Sequence, residues 1–353
     1  MNRFKLSIVL GLVVILAGAG LWLSDQAQAQ QGQPARGKIV VANRGSGSIS
    51  VIDTQSDMLV GTFDLPAGDN SPEPMYVVDA SAKNRVFVGD RANDRVVVFN
   101  AQDFSVETTV EVGAGVFHMW ADSLNKQLWV NNDIDNTSSV VDPNTLQVIA
   151  TVPTPADLVA EGGKPHDVIL DPLGNYAYVT VIGVNGDNDY VVQYSTDTFE
   201  EVNRAAVGKD PHVSLTKHND LLYVPCQNSD VVLVFKRDTL DPVTEIQVPG
   251  AHGAGMTRNG KVFYTTNLPG GGTDAIFAID TSTNTVIGEA VDTPYPVPHN
   301  LALIPNGHKL YVTHSGGTAD KVTIYTQSQN DPTPVFSGEV TVGLNPFGLA
   351  YIR

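Results

Sequence analysis

The feature that most constrains the fold is a repeat. Seven times along the chain, an apolar strand rich in β-branched and aromatic residues ends in a polar residue. A Gly/Asn/Asp-rich turn and a second alternating strand follow, as in "GKIVVANRGSGSISVID", "DLLYVPCQNSDVVLVFK" and "HKLYVTHSGGTADKVTIYT". A third strand such as "DMLVGTFDL" or "SVETTVEVG" comes after most copies. A further strand precedes them, beginning "PEPMYVVDAS", "GVFHMWADS", "GKPHDVILDP", "KDPHVSLTK", "PGAHGAGMT", "PVPHNLALIP" and "LNPFGLAYI" at spacings of 40 to 48 residues. A four-stranded unit of this period is a propeller blade, because it can bury its faces only against its neighbours. The repeat starts with the second, third and fourth strands of a blade, from about Lys38 to Asp64, and ends with a lone first strand at Asn345–Ile352. The two ends are therefore expected to complete one blade and cover what would be open sheet edges. The expectation is an all-β, seven-bladed β-propeller with four antiparallel strands per blade over 37–353, and no helix within it.

The segments "YVT" at Tyr178–Thr180 and Tyr311–Thr313, with strands such as "ISVID" at Ile49–Asp53, resemble the YVTN family of seven-bladed β-propellers. The resemblance covers the repeat region and implies the fold. It leaves function open, since one fold hosts unrelated activities.

Ahead of the repeats, Arg3 and Lys5 precede an uncharged apolar run, Leu6 to Leu23, and then the small-x-small site Ala27-Gln28-Ala29. This is the pattern of an export signal over 1–29, followed by a flexible leader over 30–36. The run is also long enough to serve as an uncleaved N-terminal membrane anchor. Either way the repeats are expected outside the cytoplasm, in the periplasm, at the cell surface or secreted. The formal charge of −17 and the lack of Lys/Arg clusters argue against a nucleic-acid partner. Cys226 is the one cysteine, so no intrachain disulfide forms.

The repeat gives the histidines their meaning. The residue after the Pro, or its equivalent, at the start of each innermost strand is Met75, His118, His166, His212, His252, His299 or Phe347. Innermost strands line the central channel, so five imidazoles on consecutive blades should converge at one channel mouth. Neutral imidazoles aimed at one point suit a metal ion. Met75 and Cys226 are soft donors whose participation would favour copper; without them zinc or iron fits as well. His314 and Cys226 belong to a wider ring with Asn43, Asp90, Asn131, Val181 and Asn267, at the ends of the second strands. Glu73, Glu161 and Asp210 lie in loops entering the inner strands and could accept from the distal imidazole N–H. Asp167 follows His166 and should point away from the channel, since side chains alternate along a strand. Phe347 should close one side of the ring. His218 and His308 should lie on the opposite face. In placement only, the ring resembles the axial polyhistidine centres of nitrous oxide reductase and the carotenoid oxygenases.

These residues support a transition-metal site, copper favoured, for periplasmic redox chemistry or metal handling. Partners would be the ion itself and a small-molecule substrate or periplasmic protein. Two other readings remain open at this stage: a non-catalytic ligand-binding scaffold, and a metal-assisted lyase or lactonase.

Overall fold

Each repeat folds into one antiparallel sheet in the computed structural model, which describes residues 37–122, 124–215, 220–268, 274–328 and 330–353. The expected signal and leader, and His218, lie outside these residues. The described residues form seven sheets. In the first, β1 (Lys38–Asn43), β2 (Ser48–Asp53) and β3 (Met58–Asp64) are completed by the last strand, β29 (Pro346–Ile352), in the order β29-β1-β2-β3. The other inner strands are β4 (Pro74–Ala80), β8 (Val116–Ala121), β12 (Lys164–Leu170), β16 (Ser214–Leu215), β20 (Ala251–Met256) and β25 (Pro298–Leu303). Each starts a blade that runs outward in sequence order. The chain is thus a seven-bladed propeller closed by its two terminal strands.

Two departures from the sequence expectation are small. A five-residue helix, α1 (Ala156–Ala160), stands between the third and fourth sequential blades, where no helix was expected. It buries Leu158 among the Val168, Val179 and Val181 side chains. The rim strand of the blade starting at β20 is split into Thr285–Val286 and Val291–Asp292, which both pair with Ala275–Asp280.

The "YVT" motif has a physical reason at both of its polar groups. Tyr178, Tyr223, Tyr264 and Tyr311 are fully buried between blades, each removing a large apolar surface from water. Each hydroxyl donates to an outer turn of the next blade: to the Arg237 carbonyl at 2.9 Å, Asn284 Oδ1 at 2.5 Å, the Pro332 carbonyl at 2.7 Å and Asp57 Oδ1 at 2.5 Å. The Thr works near the axis. At the start of an inner strand, two residues oppose one on the second strand: His166–Asp167 face Thr180, His252–Gly253 face Thr266, and His299–Asn300 face Thr313. Such a bulge leaves an N–H outside the ladder. The opposing Thr hydroxyl accepts it, from Asp167 at 2.8 Å, Gly253 at 3.0 Å and Asn300 at 3.1 Å. The hydroxyls of Thr266 and Thr313 in turn donate to the carbonyls of His299 and Phe347 on the following blade.

Thr313→Val removes one such link and orphans a buried N–H and a buried C=O. It should destabilise the protein by about 1–3 kcal/mol in urea unfolding. A change within error would contradict the role given to the hydroxyl.

Candidate metal centre

The bulge register recurs at β4, β8 and β29. In the blade of β16 an isolated Pro211–Cys226 bridge is followed by the unpaired His212 and Val213. The register corrects one member of the expected ring: Met75, His166, His252, His299 and Phe347 hold the first bulge position with Phe117, not His118, and His118 comes to the axis from the second position, as Asp167 does. Ring centroids lie 5.1 Å apart for His118 and His166, 4.7 Å for His166 and His212, 3.9 Å for His212 and His252, and 4.7 Å for His252 and His299. Phe347 closes the arc 4.0 Å from His299. All five imidazoles are buried. Nitrogen atoms of His118, His166 and His212 all lie within 4.8 Å of one another.

Counting hydrogen bonds divides the five. His118 Nδ1 meets Asp167 at 2.8 Å and His252 Nδ1 meets Gln227 Oε1 at 2.9 Å, which leaves the Nε2 atoms of both buried and unpartnered. His212 Nδ1 is 3.7 Å from Asp167, and its Nε2 is also unpartnered. His166 leaves Nδ1 without a partner. His299 differs, since its Nδ1 accepts from the Asn300 amide at 2.8 Å. Four consecutive blades thus each contribute a buried nitrogen with nothing to bond, whereas buried polar atoms are nearly always satisfied.

Asp167 lies at the centre of this arrangement, contrary to the alternation expected of a strand. The bulge turns both His166 and Asp167 toward the axis. Its carboxylate joins His118, His212, the Val213 N–H at 3.1 Å and its own neighbour's Val168 N–H at 2.7 Å. The Val213 contact has a sequence counterpart: Pro225 stands where three blades carry Thr and has no hydroxyl to accept that N–H. Burial opposes ionisation of Asp167, but His118 and His212 outweigh it and hold the carboxyl well below the usual range. No Lys or Arg pairs with it among the described residues, so a buried carboxylate sits with only imidazoles and N–H groups beside it.

Of the other acids expected to serve the imidazoles, Glu73 and Glu161 are engaged elsewhere. Glu73 forms an ion pair with Arg44 at 2.5 Å. Glu161 accepts from Asn185 at 3.2 Å. Asp210 gives its carbonyl to the Gln227 N–H and its N–H to Asp189. Met75 packs with Tyr76, Phe347 and Phe117. Cys226 lies in the apolar core beside Val224 and Leu222, where burial pushes its thiol up to about 12. His314 uses both nitrogens, toward the Pro296 carbonyl at 3.1 Å and the Thr323 hydroxyl at 2.8 Å. His308 is exposed at the turn before Lys309–His314, on the far face. The wider ring also needs one change, because the residue paired opposite Val116 is Asn132, while Asn131 faces the bulge and donates to the His166 carbonyl at 3.0 Å.

Tyr76, Gln227 and Asn300 join the site without having been anticipated. Tyr76 and Asn300 occupy the same bulge position as Asp167 in their blades. Both line a cavity of about 100 Å³ beneath the imidazoles, with His118, Asp167, His212 and His252. Burial keeps the Tyr76 phenol far above its ordinary value and therefore a donor. Gly253 and Gly348, at this position too, let strands pass closely: a Cβ would come within 2.3 Å of the His299 carbonyl and 2.6 Å of the Met75 carbonyl. On the mouth side Tyr76, Phe117 and Phe347 pack edge to face, with Arg44 over Phe347 and Arg91 over Phe117.

Burial lowers the pKa of His118, His166 and His252, and pushes His299 down from 6.5 to about 3, with neighbouring imidazoles adding to the effect. The folded chain therefore binds protons less readily than the unfolded chain. Stability is full above the ordinary imidazole value and is lost as pH falls below it. Metal-free protein should show a falling Tm between pH 7 and about 4, and the fall should be shallower in His299→Phe. A Tm independent of pH over that interval would contradict the burial of neutral imidazoles.

Residues 26–249, more than half of the chain, match the model of the family described as Lactonase, 7-bladed beta-propeller. No curated protein sequence matches. Among solved structures the chain is similar to a protein from Lactobacillus plantarum, at 17% identity and a TM-score of 0.71 over 90% of this chain and 100% of that one. It is similar to the periplasmic gluconolactonase of Pseudomonas aeruginosa, at 16% identity and 0.69 over 90% and 99%. It is also similar to hydrazine synthase of Kuenenia stuttgartiensis, at 17% and 0.65 over 78% and 89%. At these identities the likeness is one of fold. With the blades, their closure and the family match together, the chain belongs to the seven-bladed β-propeller lactonase family.

Proposed function

We propose that the protein is an exported propeller that holds a divalent transition metal through His118, His166 and His212, with His252 beside them, and uses it to open a lactone or ester ring. One observation carries the metal: four buried imidazole nitrogens without partners, next to a buried carboxylate without a cation. An ion held by His118, His166 and His212 would use three of these lone pairs, with Asp167 balancing its charge while orienting His118, and would leave the His252 Nε2 free beside it. Membership of a lactonase family favours hydrolysis as the use of that ion. The copper and redox reading loses its particular argument, because Met75 and Cys226 sit in apolar cores and the donors are all imidazole, which suits zinc or iron(II) equally. Kinship with YVTN-type propellers rests on the Tyr and Thr contacts of that motif. Export rests on the basic and apolar N-terminus, and the description of the Pseudomonas relative as periplasmic is in keeping with it.

The chemistry needs a polarised carbonyl, an activated water and a stabilised oxyanion. A divalent ion held by three imidazoles supplies the first two, as in catalytic zinc sites. His252, fixed through Nδ1 by Gln227, presents a free Nε2 that accepts a proton from the attacking water. The Tyr76 hydroxyl and the Asn300 amide offer donors to the charge that develops on the carbonyl oxygen. The water oxygen bonds to the carbonyl carbon, the ring C–O bond breaks, and the departing oxygen takes the proton from His252 to give a hydroxy acid.

Untagged protein should hydrolyse simple lactones, lose the activity on chelation and regain it with zinc or iron(II). Asp167→Asn should weaken metal affinity about 10- to 100-fold. Hydrolysis that survives both chelation and the double change His166→Ala/His212→Ala would overturn the reading.

A further inference from the structure

Beneath the histidine cavity the channel continues toward the far face, and its chemistry changes. A second cavity of about 300 Å³ shares Val77, Trp120, Ala254, Leu301 and Leu349 with the first. It is therefore the continuation of the same channel, and its volume falls at the small end of ligand sites. Its further wall is made by Val78, Met256, Leu303 and Ala350, with Tyr351. Asp79 is the one charged side chain in that wall, and neither cavity is lined by a Lys or Arg among the described residues. Trp120 keeps 45% of its surface accessible although it lies on an inner strand at the axis. Trp120 lines both cavities, and no described residue covers its accessible surface.

We propose that this channel receives the aliphatic tail of an uncharged lactone or ester whose carbonyl end reaches the histidines, a substrate class that rests on the hydrolytic reading above. The described walls bury methylene groups, and Asp79, Trp120 and Tyr351 are their only side chains that could partner a hydroxyl, so most hydroxyls of a sugar ring would lose their water without replacement. Among the described residues a phosphorylated ligand would meet Asp79 and no cation, which adds repulsion to desolvation. Phe117 and Phe347 pack beside His166 and His299 at the histidine-side mouth, and the exposed Trp120 marks the far face as the approach. The polar end of the ligand meets Tyr76, Asn300 and the imidazoles, and the tail lies against Trp120, Leu301 and Leu349.

The test uses metal-free, full-length protein and a series of γ-lactones with ethyl, butyl, hexyl and octyl side chains, read by tryptophan fluorescence with Trp120→Phe as the control. Affinity should tighten about three- to fourfold per added methylene until the channel is full. Gluconolactone and its 6-phosphate should not bind. Ala254→Phe, which fills the channel, should abolish the length dependence while leaving zinc stoichiometry unchanged. Affinity that is flat with chain length, or a preference for the phosphorylated sugar lactone, overturns the proposal. Length-dependent binding with no turnover in the zinc-loaded protein would overturn the hydrolytic reading and leave the ligand class supported. Turnover without length dependence would do the reverse.

Discussion

At the start of six of the seven inner strands, two residues oppose one on the neighbouring strand, and the N–H left out of the ladder must find another acceptor. In three blades a Thr hydroxyl takes it. Where Pro225 replaces that Thr, the Asp167 carboxylate of the preceding blade takes it instead. The bulge thereby turns two successive side chains toward the axis rather than one. That doubling is why imidazoles, a carboxylate, a phenol and an amide can share one small cavity on an otherwise apolar propeller. Such contacts tie four pairs of neighbouring blades near the axis, through Asn131, Asp167, Thr266 and Thr313, while four tyrosines tie neighbouring blades near the rim.

The site's electrostatics follow from this packing. Burial lowers the pKa of His118, His166, His252 and His299 and so disfavours charge on them. Neutral imidazoles are ligands rather than cations. The ionised Asp167 then has only N–H groups for company, and a buried carboxylate with no cation is costly. An ion at the unpartnered nitrogens resolves both problems, and the aromatic closure by Tyr76, Phe117 and Phe347 keeps water from doing so on the mouth side.

The repeat made the fold legible. Seven aligned strand starts, with complementary strands at the two ends, imply the blade number and the closure by β29, and the alignment placed the five histidines at the axis. What stayed hidden depended on the bulge. Strict alternation sends Asp167 outward, and only the Pro at 225 in a Thr position hints that its carboxylate has a second task. The same one-residue shift exchanges Asn131 for Asn132 in the outer ring. Met75 and Cys226 matched ligand chemistry by position, but their surroundings, an aromatic cluster and an apolar blade core, are long-range packing that one sequence does not display. His314 sits at the expected place, yet Pro296 and Thr323 use both of its nitrogens. Gln227 could have been noticed only by knowing that the turn after Cys226 folds back over His252.

The most direct test of the metal centre is X-ray absorption at the metal edge on untagged protein that has been loaded with one equivalent of zinc and dialysed. The account predicts a retained ion, about 2.0–2.1 Å from nitrogen, with scattering from at least three imidazoles and none from sulfur. Protein that retains no zinc, or a spectrum with a sulfur ligand from Met75 or Cys226, would contradict it.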